Sequence, residues 1–212
     1  MSVKPILFGI ALILAIIPSQ AKAGIKLAID PSSAVTSLTV PSGSTFTIDF
    51  YLVEDGPENR LTTDGLFSFD FRGIYDSSML SLLSINIDPT FDLLSGSDLA
   101  TIGQFDIFGA ASSGVFATSH HVLLGNASFQ ASAFGTSTIS LVDTIGDGFI
   151  LNDVQNNPQT VLDGDIFGAA RDGSFNFQVT AVPEPNSAIL MLAVSTIVVF
   201  EGRRRTRKQF GK

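Results

Sequence analysis

The chain has 212 residues, 45% of them apolar, which is enough for one sizeable hydrophobic core. Residues 24–182 carry 18 acidic and only four basic side chains, a net charge of −14. Such a surface repels phosphate backbones, so the composition argues against nucleic acid as a partner. Since the chain has no cysteine, disulfides, thiolate metal sites and a cysteine nucleophile are excluded from it.

Residues 1–23 have the composition of a secretory signal peptide. Lys4 precedes an apolar stretch over residues 6–17, and Ala21-x-Ala23 matches a cleavage site for such a peptide. The apolar stretch is shorter than the about 20 residues that a spanning helix needs. We therefore expect export and a mature chain that begins at Gly24. An uncleaved N-terminal anchor is the alternative.

Residues 24–182 show the two-residue period of β-strands. In the segment STFTIDFYLV, Phe46, Ile48 and Phe50 alternate with polar residues, and GLFSFDFRG places phenylalanines at every second position. Further strands are predicted in NASFQASAFGTSTISLVD and GSFNFQVTAV, with turns rich in Gly, Ser, Asp and Pro between them. Many short strands predict one all-β domain, an antiparallel β-sandwich. The side chains expected to face its core are Phe46, Ile48, Phe50, Phe67, Phe69, Phe71 and Phe129.

Two local features interrupt this pattern. YDSSMLSLL is the single helical candidate, in which an Asp or Ser could cap a turn before the next strand. DIFGAASSGVF, beginning at Asp106, and DIFGAARDGSF, beginning at Asp165, are identical at eight of eleven positions. Two copies are too few for a solenoid, which needs at least about three. We interpret both as strand-to-turn segments that pack alike, with a pair of matching acidic loops as the alternative.

The middle of the chain resembles a known family of sandwich modules. VPSGSTFTIDFYLV, GLFSFDFRGIYDSSMLSLLSINI and LLGNASFQASAFGTSTISLVD resemble the opening strand, the Tyr-Asp-x-x-x-Leu turn and the late strand pair of cohesin-type β-sandwiches. The resemblance covers most of residues 25–181. Cohesins in the strict sense bind dockerins, and similar sandwiches bind polysaccharide. The resemblance therefore implies a binding role, but it assigns no contact residue.

The side chains of this region indicate little catalytic chemistry. His120 and His121 are the only histidines, and neighbours on a strand point to opposite faces, so the two are not expected to share one metal ion. No G-x-S-x-G nucleophile segment occurs. We predict that the protein is not an enzyme and needs no cofactor. Weak calcium binding is an alternative, because Ca²⁺ accepts carboxylate ligands; the candidates are Asp143, Asp147, Asp153, Asp163 and Asp165.

The last 30 residues predict a short membrane segment. The apolar run over residues 187–200 would be about 21 Å long as a helix, against a hydrocarbon core of about 30 Å. The basic side chains of Arg203, Arg204 and Arg205 place the far end on the cytoplasmic side by the positive-inside rule. Pro183-Glu184-Pro185 then lies at the outer membrane face. There the prolines hold an extended backbone that a protease cleft can accept.

This arrangement resembles the PEP-CTERM sorting signal: a Pro-Glu-Pro triplet, a short hydrophobic helix and a terminal arginine cluster, all in that order. The resemblance implies a Gram-negative host that makes exopolysaccharide, and processing near the triplet by an integral-membrane exosortase. Pro183, Glu184 and Pro185 would be the recognition residues. An ordinary C-terminal membrane anchor is the alternative.

Together these patterns predict a signal peptide (1–23), a cohesin-like β-sandwich ectodomain (24–182) and a sorting signal (183–212). The expected function is that of a noncatalytic exported protein of the cell surface or extracellular matrix, associated with exopolysaccharide or biofilm. A carbohydrate-binding module of the same fold is the alternative, and a polysaccharide-active enzyme is a more distant one. The expected partners are an exosortase, exopolysaccharide and, transiently, the membrane.

Overall fold

The structure is a computed structural model that describes residues 24–55, 59–99, 101–144, 148–151, 160–167 and 174–183. The predicted signal peptide and most of the predicted sorting signal lie outside these ranges. The elements in chain order are β1 (Gly24–Ala28), β2 (Ser37–Pro41), β3 (Thr45–Asp55), α1 (Arg60–Thr63), β4 (Leu66–Tyr75), β5 (Leu80–Ile87), β6 (Leu94–Asp98), β7 (Gln104–Val115), β8 (His121–Ala131), β9 (Gly135–Val142), β10 (Ile150–Leu151), β11 (Thr160–Val161), α2 (Asp163–Ile166) and β12 (Ser174–Val182).

The strands form two sheets, which confirms the predicted all-β sandwich. The first sheet has the order β1-β3-β8-β5 and is antiparallel throughout. In the second, β4 lies between β7 on one side and β9 and β10 on the other, and β12 continues the sheet from β9 to β2. The β2–β12 pair is parallel, whereas an entirely antiparallel sandwich was expected.

Phenylalanine rings join the two sheets through the core. Phe50 of β3 meets Phe71 of β4 edge to face, with ring centroids 5.3 Å apart. Phe129 of β8 meets Phe105 of β7 at 6.1 Å in a similar arrangement. Each such pair contributes about 1 kcal/mol beyond the burial of its surface. Phenylalanine rings from both sheets therefore contact one another in the core.

The predicted core is largely confirmed, with one error. Ile48, Phe50, Phe69, Phe71 and Phe129 are all buried. Phe46 was also predicted to face the core; it is partly buried and stacks on the Phe129 ring, with the ring centroids 5.8 Å apart.

Phe67 was wrongly placed in the core. In the pairing of β4 with β10, Ser68 lies opposite Ile150 and Leu66 opposite Leu151, so β4 has one extra residue, Phe67, in a β-bulge. A bulge adds one residue to the strand and reverses the alternation on one side of it. Leu66 is consequently buried, whereas Phe67 is only partly buried and, unlike Phe46, is not packed against the core cluster.

The helical candidate YDSSMLSLL is a turn followed by a strand. The Asp76 carboxylate accepts hydrogen bonds from the Ser78 backbone N–H at 2.9 Å and from its hydroxyl at 2.7 Å. The Leu80 N–H donates to the Asp76 carbonyl oxygen, after which β5 begins. The aspartate does cap a turn, but the leucine-rich run that follows pairs with β8 instead of continuing as a helix.

The repeated DIFGAA segments adopt different structures, so the expectation of two similar strand-to-turn segments was wrong. Asp106 lies inside the long strand β7, where it pairs with Arg72 of β4. Asp165 belongs to the helical turn α2, and the residues that follow Phe167 lie outside the described part. Tertiary contacts, and not the local sequence, select the conformation of each copy.

Two buried carboxylates hold the loops at one end of the sandwich. Glu54 accepts hydrogen bonds from the backbone N–H groups of Arg60 and Leu61, at 2.7 and 3.0 Å. Asp163 accepts them from Gly148 and Phe149, at 3.0 and 2.9 Å. Such donors offset part of the hydration that a carboxyl group loses on burial. These contacts fix the start of α1 and the approach to β10.

Candidate binding face and acidic cleft

The outer face of the first sheet carries nine polar side chains in three rows. The pairing registers place one residue of β3, one of β8 and one of β5 in each row. The rows are Asp49–Asn126–Asn86, Thr47–Ser128–Ser84 and Thr45–Gln130–Ser81. We call these nine residues the polar face. Since side chains alternate along a strand, the residues between them point into the core, except Leu83.

Cross-strand hydrogen bonds order the polar face. The hydroxyl groups of Thr47 and Ser128 lie 2.9 Å apart, and the Asn86 amide donates to the Asn126 side-chain oxygen at 3.0 Å. Asp49 is the one residue of the nine with a charge. The face therefore offers amide, hydroxyl and carboxylate groups at fixed spacing on a rigid sheet.

The close approach of β5 to β8 requires a glycine beside this face. A Cβ atom added at Gly125 would lie 2.4 Å from the Asn86 carbonyl oxygen, which is too close for any side chain. A shift in register in β5 falls at Leu83 and turns that side chain outward beside the polar face. Gly125 thus allows strand β5 to lie close against strand β8.

Tyr51 and His121 form an aromatic pair at one edge of the polar face. Their ring centroids are 5.6 Å apart in an edge-to-face arrangement. Partial burial raises the pKa of the Tyr51 hydroxyl, and the negative charge of Asp49 raises it further. His120 precedes β8 in a turn with a positive φ of 67°. The two histidines therefore belong to different local structures.

An acidic cleft of about 410 Å³ lies on the second sheet. It is lined by Asp70, Arg72, Asp98, Asp106, Phe108, Asp143 and Thr144. The Arg72 guanidinium donates to both carboxylate oxygens of Asp106, at 2.6 and 2.8 Å. This bidentate pair uses the one basic side chain of the cleft, which leaves the cleft with a net negative charge.

Asp70 lines the cleft, and the pKa of its carboxyl group is shifted. Partial burial raises the pKa of its carboxyl group above the usual value. The nearby Thr144 side chain opposes the increase, whereas the negative charges of Asp106 and Asp163 add to it. The ionised carboxylate of Asp70 is therefore a cost to the folded state at neutral pH.

We expect Asp70→Asn to raise the melting temperature by a few degrees at pH 7. The folded state binds the Asp70 proton at a higher pH than the unfolded chain does, so the parent gains stability as the pH falls through the raised pKa. The amide resembles the protonated acid, and the gain should therefore shrink toward pH 4. Calorimetric melting from pH 4 to 8 measures it. Asp106→Asn should lower the melting temperature instead, because it breaks the pair with Arg72, and an unchanged pH profile in Asp70→Asn would contradict the assignment.

The calcium candidates do not gather into one site where the structure describes them. Asp163 is buried and binds two backbone N–H groups, whereas Asp165 accepts a hydrogen bond from the Arg60 guanidinium at 3.2 Å. Asp143 lines the acidic cleft. In the described ranges, no group of three or more acidic or histidine side chains is placed to hold a metal ion. The candidates Asp147 and Asp153 lie outside those ranges, so calcium binding stays a prediction.

The predicted sorting residues begin where the described sandwich ends. Pro183 directly follows β12, whereas Glu184, Pro185, Arg203, Arg204 and Arg205 lie outside the described residues. No helix in the described part of the chain is long and apolar enough to cross a membrane. The predicted membrane segment over residues 187–200 lies outside the described residues.

Sequence reasoning found one strand of the polar face but not the face itself. The alternation of Thr45, Thr47 and Asp49 with apolar residues correctly predicted a solvent-facing side of β3. The contribution of Asn126 and Asn86 depends on two strand registers that join distant parts of the chain. The polar residues of β8 and β5 were the sequence signal for this face. Only the pairing of the strands shows that these residues line up with those of β3.

Comparisons with known proteins agree on the fold. No protein-family profile and no curated protein matches the chain. The seventh ScaB type I cohesin from Pseudobacteroides cellulosolvens superposes with a TM-score of 0.53 at 15% identity, over 76% of this chain and 93% of that one. A cohesin module of a Clostridium perfringens family 33 glycoside hydrolase gives 0.51 at 12% identity, over 76% and 99%.

A third similar structure contains a bound partner. The sixth cohesin of scaffoldin B from Acetivibrio cellulolyticus, solved in complex with a Cel5 dockerin mutant, has a TM-score of 0.50 at 15% identity, over 76% of this chain and 99% of that one. Identities this low establish similarity of fold alone. The described residues of this chain form a cohesin-like β-sandwich.

Proposed function

We propose that this chain is a noncatalytic binding module that is exported, sorted to the cell surface and held there by a partner protein. Residues 1–23 direct export, residues 24–182 form the binding module, and residues 183–212 are a PEP-CTERM signal that an exosortase processes. The destination is the surface or the exopolysaccharide matrix of a Gram-negative bacterium. The polar face of the first sheet is the site of docking.

The observation that carries this proposal is that four of the nine polar side chains are ordered before any partner binds. Thr47–Ser128 and Asn86–Asn126 are hydrogen-bonded across strands, so little side-chain entropy remains to be lost on binding. A flat sheet face with fixed donors and acceptors is suited to another protein surface. The complex of the Acetivibrio cellulolyticus cohesin with a dockerin supports a protein as the partner.

Charge favours a basic partner. The ectodomain has a net charge of −14, and the polar face itself contributes the carboxylate of Asp49. A field of this sign raises the association rate of a positively charged surface and weakens with added salt. Binding should therefore be faster at low ionic strength.

Exopolysaccharide is the second candidate ligand. The row Asp49–Asn126–Asn86 lies near the Tyr51 ring, and a carboxylate, amides and an aromatic ring are groups that bind sugar hydroxyls and sugar faces. The same polar face would then bind a glycan. The two candidates differ in whether purified, protein-free polysaccharide retains the chain.

Asn86→Arg is expected to release the protein from the cell surface. A long charged side chain would break the bond to Asn126 and project from the β5 corner of the face. A loss of about 1.4 kcal/mol or more in binding corresponds to at least about a tenfold weaker complex. The measurement is the fraction of protein that stays with washed cells, compared with the fraction in the medium.

Asn176→Arg is the matched control, since Asn176 is an exposed strand residue on the second sheet. The Asn176→Arg protein should stay with washed cells to the same extent as the parent protein does. Equal retention of both variants would show that the polar face is not the docking site. If protein-free exopolysaccharide binds the parent and not Asn86→Arg, the carbohydrate-binding function replaces the protein-binding one.

A further inference from the structure

The end of the sandwich at which β12 finishes has few charges. Backbone contacts link the turns there: the Ser42 N–H donates to the Val182 carbonyl oxygen, the Gly43 N–H to Ala131, and the Ser132 N–H to Met79. The Tyr75 N–H donates to Gly103, which brings in the turn between β6 and β7. We call this end the Val182 tip; its residues are 42–44, 76–79, 99, 101–103, 132–134 and 182.

The Val182 tip exposes large apolar side chains. Ile102 is 87% exposed, Phe134 68% and Leu99 50%. Asp76 is the one charged residue of the tip, and its carboxylate already accepts two hydrogen bonds from Ser78. Exposed apolar side chains that project together from a weakly charged surface mark a site of contact with an apolar partner.

Exposed apolar side chains elsewhere have different neighbours. Leu93 is 61% exposed and follows Asp92, whose carboxylate binds Ser112. Phe116 is half-exposed and lies near Gly65, beside Asp64. Acidic groups next to these side chains would oppose burial in an apolar layer, because each would lose its hydration. At the Val182 tip Leu99 follows Asp98, but neither Ile102 nor Phe134 has an acidic residue beside it in the sequence.

The position of the tip in the chain selects the membrane as its partner. Val182 is followed by four residues and then by the apolar run over residues 187–200. Five Cα–Cα steps span at most about 18 Å, so a tail anchored in a bilayer would keep the tip close to the lipid headgroups. No other part of the sandwich is tied to the tail by so short a connection.

We infer that the Val182 tip rests on the outer surface of the membrane until the tail is processed, with Leu99, Ile102 and Phe134 in the headgroup layer. This inference rests on the membrane anchorage in the proposed function. Apolar side chains at this depth exchange water for the acyl boundary, as in interfacial segments generally. The contact would hold Pro183 at the membrane face, where an integral-membrane protease acts.

Single tryptophans test this orientation, because the chain has none of its own. Leu99→Trp and Ile102→Trp place the probe at the tip. Leu93→Trp is the matched control, since Leu93 directly precedes β6 and Leu99 directly follows it, which places the two about 20 Å apart. Each variant, with its tail intact, is reconstituted in phosphatidylcholine vesicles with and without bromine atoms in the acyl chains, which quench nearby tryptophan.

The expected result is that Leu99→Trp and Ile102→Trp lose most of their emission in brominated vesicles and that Leu93→Trp does not. If all three float with the vesicles but none is quenched, or if Leu93→Trp is quenched equally, the orientation is wrong although the anchor is present. If the chain does not float with the vesicles, the proposed anchorage fails and the inference fails with it. Melting curves of the three variants confirm that each is folded.

Discussion

Replacing Phe69 with aspartate is expected to abolish the cooperative unfolding of the ectodomain. Phe69 is 1% exposed, and its ring meets Phe91 edge to face at 4.6 Å. Phe71 and Phe149 lie within 6.5 Å of the same ring. Removing a buried phenylalanine costs about 3–5 kcal/mol, and burying an unpaired carboxylate adds several more. Since a domain of this kind has about 5–15 kcal/mol of stability in all, the transition should be lost.

Circular dichroism during thermal melting measures this effect, and Phe67→Asp provides the control. Phe67 is two residues away on the same strand, but the β-bulge turns it out of the core. We expect Phe67→Asp to melt cooperatively, with a loss of about 1 kcal/mol or less. If Phe69→Asp is as stable as the parent, or if both variants unfold alike, the assignment of the core is wrong.

This pair of residues also shows how far the sequence predicts the fold. Strict alternation correctly placed Phe69 and Phe71 in the core, because a strand with one wet face has no other way to bury them. The same rule misplaced Phe67, since the bulge is fixed by the pairing of β4 with β10 and leaves no clear local signal. Side-chain periodicity reports the face of a strand only as far as the nearest bulge.

The repeated DIFGAA segments give the same lesson at a longer range. Asp106 and Asp165 have identical local sequences but lie in a strand and in a helical turn. Asp106 is fixed by Arg72 on the neighbouring strand, whereas α2 begins at Asp163, which holds the backbone of Gly148 and Phe149. These partners are distant in sequence, so no reading of the repeat alone could separate the two structures.

The polar face was even less accessible to sequence reasoning. Asp49, Asn126 and Asn86 lie far apart in the chain, and they share a row because two antiparallel registers coincide at one level of the sheet. Gly125 allows that coincidence by accommodating the Asn86 carbonyl oxygen. A polar residue on a strand indicates a wet face, but a binding surface needs the alignment of several strands.

Glu184→Ala is expected to leave the full-length precursor in the inner membrane. The reason lies in the proposed sorting signal, in which Glu184 carries the one charge of the Pro-Glu-Pro triplet. Loss of a hydrogen bond to a charged group costs about 2 kcal/mol. If the exosortase makes that bond in its transition state, cleavage slows by about 30-fold. Immunoblots of membrane and surface fractions measure the accumulation, and mass spectrometry of the surface form should find no peptide beyond about Asn186 in the parent.

Two further variants separate recognition from anchoring. Glu201→Ala removes the same side chain at the other end of the apolar run, so its processing should match that of the parent. Replacing Arg204 and Arg205 with alanine should weaken orientation and retention before any cleavage, because it removes part of the positive charge that keeps this end cytoplasmic. If Glu184→Ala reaches the surface with its tail removed as efficiently as the parent, Glu184 is not read by the protease. If the parent itself keeps its tail at the surface, residues 183–212 are a plain membrane anchor, and the Val182 tip then stays on the bilayer throughout the life of the protein.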